Sequence, residues 1–328
     1  LKRSSPSRSQ RADGMKAVFV VNPAARGGRA LSRWKAFRKT LTFPFRELMT
    51  KGPGHAKAIA RGFAAGGEKE KVLLIAFGGD GTVHEILAGA AGADHVIVGS
   101  VSAGSGNDFG RGYRSFRTAE EIVAYLGGRT APPSLDLGMV NFGDGFIFVN
   151  SSGIGFDAEI SRGTGRSAFK PLLNRTGLGK LVYALYTVRA LCAFRTFSLE
   201  VTADGKQMDY HDVWFATVSN QPYFGGGMKI SPESDPADGL IELTVVSRLS
   251  RVKLLLVFGS VFFGAHTVFR EVDSRKGRQF SLKADREVPL HTDGEDAGDT
   301  QPGRPVVFSV RPGAWRLAGQ QRTGRSGI

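Results

Sequence analysis

Phe77-Gly78-Gly79-Asp80-Gly81-Thr82-Val83-His84-Glu85 is the stretch on which the fold turns. The run Val72–Phe77 that leads into it is short and apolar, which predicts a buried strand, and Val83–Ala91 carries the apolar spacing of a helix. Glycines at 78, 79 and 81 permit positive φ angles and let main-chain N–H groups approach a ligand closely. A helix opening there adds partial positive charge, so the loop predicts a phosphate cradle. Asp80 is the odd member, because a carboxylate beside phosphates repels them unless a cation lies between. It points to a metal-bridged nucleotide rather than a bare anion. Taken alone, the same letters also fit a plain turn in which Asp80 caps the helix.

Two further loops weigh against the plain turn. Val21-Asn22-Pro23-Ala24-Ala25-Arg26-Gly27-Gly28 lies between a predicted strand, Ala17–Val21, and a predicted helix, Arg29–Leu41. Ala103-Gly104-Ser105-Gly106-Asn107-Asp108 follows a predicted strand at Val96–Ser100. With a strand at Phe45–Met49 and a helix at His55–Ala65, the segment from Met15 to Asn141 alternates strand and helix. That order predicts a parallel sheet with helices on both faces, whose ligands bind at the carboxyl ends of the strands. All three loops then emerge on one edge, where Arg26, Ser105 and Asn107 are able to donate to phosphate, ribose or base. No Gly-x-x-x-x-Gly-Lys-Ser/Thr loop is present, Gly104-Ser105-Gly106 misses the dinucleotide spacing by one residue, and the protein-kinase elements are missing.

The remaining sequence has a different character. At 328 residues the chain suits two domains, and after Ala131-Pro132-Pro133 it turns to short β-branched and aromatic runs. These are Phe146–Ser151, Ser198–Ala203, Val213–Ser219, Ile241–Val246, Gln279–Ala284, Glu287–His291 and Val306–Val310, with Asp144-Gly145 and Asp204-Gly205 as turn signals. They predict an antiparallel β-rich domain over 142–318, its last strand free to return to the first domain, 15–141. One helix, Leu178–Phe194, presents Leu181, Leu185, Val188 and Cys192 on one face. The apolar run Leu254–Phe269 reads as a buried helix, since it is too broken to span a bilayer. A single cysteine excludes an intrachain disulfide, and six unclustered histidines point away from a His or Cys metal centre. The net charge of +14 favours phosphate-rich or anionic partners. Residues 1–14, Ser/Arg-rich with no apolar core, are expected to be a disordered leader, and 319–328 a disordered tail.

In this order, the three loops resemble the catalytic domain shared by diacylglycerol kinases, sphingosine kinases, ceramide kinases and bacterial lipid kinases. The resemblance runs from Met15 to Leu317. It implies an NAD kinase/diacylglycerol kinase-like α/β domain followed by an antiparallel β-sandwich-like domain. It also implies a site for ATP built from Asn22, Pro23, Ala24, Ala25, Arg26 and Gly27, from Gly78, Gly79, Asp80, Gly81, Thr82 and Glu85, and from Gly104, Ser105, Gly106, Asn107 and Asp108. Thr50, before Lys51-Gly52-Pro53-Gly54-His55-Ala56, matches a further nucleotide-site threonine. Two positions depart from the family pattern: Arg26 stands where glycine is frequent, and Ser105 replaces threonine while keeping the hydroxyl. Asp235-Pro236-Ala237-Asp238-Gly239-Leu240 matches a structural Mg²⁺ loop, with Asp235, Asp238 and the Leu240 carbonyl as the implied ligands. His291-Thr292-Asp293-Gly294-Glu295 matches the element in which the Glu is taken as general base, so Glu295, with Asp293 beside it and Asp80 on Mg²⁺, is the implied catalytic set.

The resemblance implies an ATP-dependent transferase that phosphorylates a lipid hydroxyl, in the cytoplasm and peripherally at an anionic membrane. Phe142–Phe156, Leu178–Phe194 and Phe258–Phe269 are candidates for the apolar contact. A homodimer is compatible with it, and no recognition motif points to nucleic acid. One rival is an NAD kinase, which shares Gly-Gly-Asp-Gly and the two-domain plan but is disfavoured by the Asn22-Pro23 and Gly104–Asp108 loops and by Asp293-Gly294-Glu295. The other is a non-catalytic lipid-binding protein on the same scaffold, for which Arg26 is the opening.

Overall fold

The computed structural model describes residues 15–66, 70–103, 108–128, 131–143, 145–166 and 187–319. They divide into two compact units, one of residues 1–105, 113–133 and 315–328, the other of 106–112 and 134–314.

In the first unit β1 (Lys16–Val21), α1 (Arg29–Phe37), β2 (Phe45–Met49), α2 (His55–Ala65), β3 (Val72–Gly78), α3 (Asp80–Ala90) and β4 (Val96–Ser102) alternate as the apolar runs predict. β1 pairs in parallel with β2 and β3, and β3 with β4, so the loops after β1, β3 and β4 leave from one edge. All seven residues of β3 are buried, as suits a strand covered on both faces. Phe19, Trp34 and Phe77 form the aromatic centre of this core, with Trp34 5.0 Å from each of the other two rings. Each is worth about 1.5–3 kcal/mol of burial.

The second unit begins with α4 (Asp108–Gly112), while α5 (Ala119–Gly127) belongs to the first. It continues through β5 (Ser134–Asn141), β6 (Phe146–Phe148), β7 (Ser151–Gly155) and α6 (Phe156–Arg166). Then come β8 (Phe197–Ala203), β9 (Lys206–Ser219), β10 (Tyr223–Phe224), β11 (Met228–Lys229), β12 (Ile241–Ser247) and α7 (Arg251–Val261). β13 (Val272–Gly277), β14 (Gln279–Ala284), β15 (Pro289–Thr292), β16 (Glu295–Asp299) and β17 (Val306–Leu317) complete it. The strands run antiparallel in the order β16-β15-β7-β9-β8-β14-β17, with β12 joining β9 to β13. β17 pairs with β14 in this unit through its first residues; from Trp315 on it belongs to the first unit, where Arg316 and Leu317 pair in parallel with Ile97 and Val98 of β4. The architecture is thus an α/β unit with a parallel sheet and an antiparallel β-sandwich-like unit.

Several expectations need correction. Phe146–Ser151 is not one strand: Val149, Asn150 and Ser151 turn their N–H groups to the Asp293 carboxylate, which breaks the ladder between β6 and β7. By compactness β5 groups with the second unit, which takes in residues 134–314. Residues 187–193 are helical, whereas 178–186 lie outside the described residues, as do Gly104–Asn107, Asp144, 1–14 and 320–328. In that helix Val188 and Cys192 are exposed while Leu191 and Phe194 are buried, so the core-facing stripe is not the one expected. Leu254–Phe269 is not a buried helix: α7 buries only Leu254, Val257 and Val261 before a 3₁₀ turn at Ala265–Val268. No helix among the described residues is long and apolar enough to cross a membrane.

Candidate active site

The three glycines of the Gly78–Gly81 loop do not use positive φ angles, contrary to the expectation from their type. α3 already begins at Asp80, with Gly79 extended before it. The requirement at Gly78 is space: a Cβ there would lie 2.4 Å from Thr82 Oγ1. At Gly81 a Cβ would meet nothing within 4 Å, so its absence leaves backbone uncovered at the first turn of the helix. The left-handed conformations fall in the first loop instead, at Arg26, Gly27 and Gly28, with φ of 57°, 64° and 87°.

Side chains stitch these loops together. Asn22 donates from Nδ2 to Thr82 Oγ1 at 3.1 Å and accepts the Ala24 N–H on Oδ1, joining the loop after β1 to the start of α3. The Ala103 N–H donates to the Gly78 carbonyl at 2.8 Å, and Arg33 donates to the Ser102 carbonyl at 2.6 Å, so the end of β4 is tied to β3 and α1. Buried Thr50 donates its N–H to the Val21 carbonyl at 2.8 Å. Glu85 accepts the Gly54 and Ala56 N–H groups at 2.8 and 3.0 Å, one on each oxygen. Its carboxylate therefore caps α2 and positions the loop after β2. Asp80 is half-buried at the first turn of α3, where Pro23 to Gly28 follow Asn22 in the neighbouring loop. Of the third loop, Gly104, Ser105, Gly106 and Asn107 lie outside the described residues.

Asp108 belongs to the second unit. It is buried, paired with Arg111 at 2.8 Å, and accepts the Gly226 N–H at 2.8 Å. That hydrogen bond fixes the β10–β11 hairpin, whose Gly225, Gly226 and Gly227 are all left-handed. Beside it lies a buried polar network that sequence reading passed over. Gln221 donates to Asn150 Oδ1 at 2.8 Å, and Asn220 donates to the Asp136 carbonyl at 3.0 Å. The polar run Ser219-Asn220-Gln221 closing an apolar strand was its only sequence signal.

The Asp293-Gly294-Glu295 turn divides its two carboxylates. Asp293 takes a left-handed φ of 49°, and its oxygens accept three main-chain N–H groups, from Val149 and Asn150 at 2.8 Å and Ser151 at 3.1 Å. That engagement ties the turn to residues 149–151. Glu295 is exposed, and its carboxylate has no hydrogen-bond or ion-pair partner among the described residues. Under the turn His291 is fully buried, stacked on Phe224 with centroids 4.7 Å apart. The Gly294 N–H donates to Nδ1, so Nε2 carries the proton that Asp157 accepts at 3.0 Å, and Thr217 donates to the same carboxylate oxygen at 2.5 Å. These buried partners hold the turn from beneath.

The Asp235–Leu240 loop is closed by its own aspartates. Asp235 accepts the Ala237 N–H at 3.0 Å, and Asp238 accepts the Leu240 N–H at 2.9 Å and the Lys276 ammonium at 3.2 Å. Asp136 reaches in from β5 and accepts the Gly239 and Gly313 N–H groups at 2.8 Å. Burial pushes the Asp136 carboxyl up, the two N–H donors oppose this, and the charges of Asp238 and Asp235 push it further up. An oxygen-only donor set under mutual repulsion fits a hard cation. No three carboxylate, His or Cys side chains among the described residues converge to hold a metal unaided. An ion here would rest on Asp235, Asp238, the Leu240 carbonyl and water.

Comparison with known proteins agrees with this layout. Residues 16–140 match the diacylglycerol kinase catalytic domain, and residues 150–319 match the YegS C-terminal NAD kinase beta sandwich-like domain. A Bacillus subtilis protein with a lipid-kinase name, YtlR, is 33% identical over 86% of this chain and 94% of its own. The diacylglycerol kinase of Mycobacterium tuberculosis strain H37Rv is 29% identical, over 74% of each chain. A Bacillus anthracis str. Sterne structure described as a diacylglycerol kinase shares the fold, with a TM-score of 0.71, 24% identity, and coverage of 93% of this chain and 97% of that one. The chain belongs to the diacylglycerol kinase family, in its bacterial lipid-kinase form. Its relatives are named as kinases, which makes phosphotransfer the class of its chemistry.

Proposed function

We propose that the chain transfers the γ-phosphoryl group of ATP to the hydroxyl of a diacylglycerol-like or sphingoid lipid. The observation that carries this reading is the split between Asp293 and Glu295. One carboxylate holds the turn, and the other stands exposed, without a partner among the described residues, as a proton acceptor. In the reaction the acceptor oxygen bonds to the γ-phosphorus, the bond to the β–γ bridging oxygen breaks to leave ADP, and the acceptor proton passes to Glu295. Such transfers depend mainly on positioning and charge neutralisation. The loops at Asn22–Gly28 and Gly78–Thr82 supply main-chain N–H groups and the positive end of α3 for the phosphates, and Thr50 supplies its hydroxyl. Asp80 would hold the Mg²⁺ of the nucleotide, and Asp235, Asp238 and the Leu240 carbonyl a structural Mg²⁺. When bound, the ion neutralises phosphate charge. Glu85 and Asp108 act by holding loops, through the main-chain N–H groups that they accept.

A cytoplasmic enzyme working peripherally at an anionic membrane is part of this reading. The NAD kinase alternative has one observation in its favour, the NAD kinase-like description of the domain matched by residues 150–319. ATP consumption measured in parallel with diacylglycerol, sphingosine and NAD as acceptors separates the readings. Turnover with a lipid and none with NAD supports the proposal; NAD-dependent turnover replaces it; ATP consumption with none of the three leaves a non-catalytic scaffold.

A further inference from the structure

Nine large hydrophobic side chains are exposed among the described residues, and six of them lie between 252 and 268: Val252, Leu255, Leu256, Phe262, Phe263 and Val268. Single exposed apolar residues are ordinary on a protein surface, whereas a contiguous set marks a contact. Here the geometry explains the set. Leu254, Val257 and Val261 recur at helical spacing on the core side of α7. Val252, Leu255 and Leu256 occupy the opposite side, which is equally apolar, and Leu256 is 70% exposed. Phe263, at 84%, and Val268, at 79%, extend the set past the helix end.

The segment after α7 is anchored rather than frayed. His266 is fully buried, with Nε2 2.9 Å from the Ile230 carbonyl, and a Cβ on left-handed Gly264 would sit 3.1 Å from Pro232. Phe263 and Val268 are therefore held outward by a fixed turn.

Charge identifies the partner. Residues 248–270 contain Arg248, Arg251, Lys253 and Arg270 and no acidic residue. Lys253 is paired with Glu271, and Arg251 donates to the Leu191 carbonyl at 3.0 Å, while Arg248 and Arg270 are exposed. Apolar side chains directed outward among cations suit the boundary between acyl chains and anionic headgroups. We infer that α7 and the turn after it form the surface by which the second unit docks on an anionic lipid bilayer, Leu256 and Phe263 entering the acyl boundary and Arg270 meeting the headgroups. The inference rests on the proposed lipid acceptor, which it supplies with a route from the membrane.

The test is cosedimentation of the full chain with vesicles of phosphatidylcholine alone and of phosphatidylcholine mixed with phosphatidylglycerol. Wild type is expected to bind the mixed vesicles more tightly, and less so as salt is raised. The double variant Leu256→Ser/Phe263→Ser is expected to bind at least about tenfold more weakly. Arg270→Glu is expected to lose about tenfold or more on mixed vesicles and nothing on phosphatidylcholine. The substituted side chains are exposed, so melting temperatures should match wild type; should the double variant melt early, Val252→Ser/Val268→Ser takes its place. Unchanged binding by these variants, or no binding by wild type, overturns the inference. So does a double variant that converts a dimer to a monomer, seen by sedimentation velocity, while vesicle binding holds, because the surface then belongs to a second copy. Wild type that binds vesicles yet phosphorylates no lipid upholds the docking surface and sinks the kinase reading. Wild type that phosphorylates detergent-dispersed lipid but ignores vesicles does the reverse.

Discussion

Arg26 holds a left-handed backbone at the place where a glycine would rest without strain. A Cβ in that region costs roughly 1–2 kcal/mol, partly offset because glycine loosens the unfolded chain. Arg26→Gly is expected to raise the unfolding free energy by up to about 1 kcal/mol, seen as a higher denaturant midpoint; a lower midpoint would mean that the guanidinium stabilises the loop. The two carboxylates of the 293–295 turn call for opposite outcomes. Glu295→Gln should lower kcat by about 10²–10⁴-fold with no change in melting temperature, because the side chain has no partner to lose among the described residues. Asp293→Asn should lower stability by about 1–3 kcal/mol, since an amide cannot accept three N–H groups as the carboxylate does, and activity should fall with the displaced turn. If Asp293→Asn is dead but fully stable while Glu295→Gln turns over, the base is Asp293.

Elements carry the next layer. Gly78 lets α3 begin against β3 with the Thr82 hydroxyl in the space a Cβ would take. Gly78→Ala should push Thr82 off Asn22 and weaken Mg·ATP binding at least about tenfold, at a stability cost of about 1–3 kcal/mol. Titration calorimetry with a melting curve checks both, and unchanged affinity would detach this hydrogen bond from nucleotide binding. In the turn after α7, burial pulls the His266 imidazole down, and its Nδ1 has no hydrogen-bond partner among the described residues. The unfolded chain therefore takes up the proton first, so stability is present above the ordinary histidine pKa of about 6.5 and is lost as pH falls through it. His266→Leu should flatten the fall in unfolding free energy between pH 7 and pH 5; an unchanged slope assigns it to other groups. The same scale shows what sequence made legible. β2, α2 and β14 were bounded correctly because each is an apolar-patterned run with clear breaks. β13 was missed because Asp273-Ser274-Arg275-Lys276 is polar on a strand paired only with β12, and α6 because Gly163 and Gly165 lower its helix signal. The letters of the glycine-rich loops were readable, but their fastenings were not. Glu85 caps a helix about thirty residues earlier, and Asp293 reaches back to 149–151; such bonds have no local signature.

At the scale of the whole molecule, the first unit brings the ends of β1, β3 and β4 to one sheet edge, and the second carries an exposed carboxylate, an acidic loop and an apolar, cation-flanked surface. The net charge of +14 accords with phosphate and anionic lipid as partners. The central claim is that these parts serve one reaction, movement of the terminal phosphate of ATP to a lipid hydroxyl. The most direct measurement follows label from γ-labelled ATP into the organic phase, with diacylglycerol or sphingosine in mixed detergent micelles. The account predicts a labelled lipid phosphate monoester that forms with wild type and is reduced about 10²–10⁴-fold with Glu295→Gln. Label confined to NADP or to inorganic phosphate, or lipid labelling that Glu295→Gln leaves untouched, would contradict it.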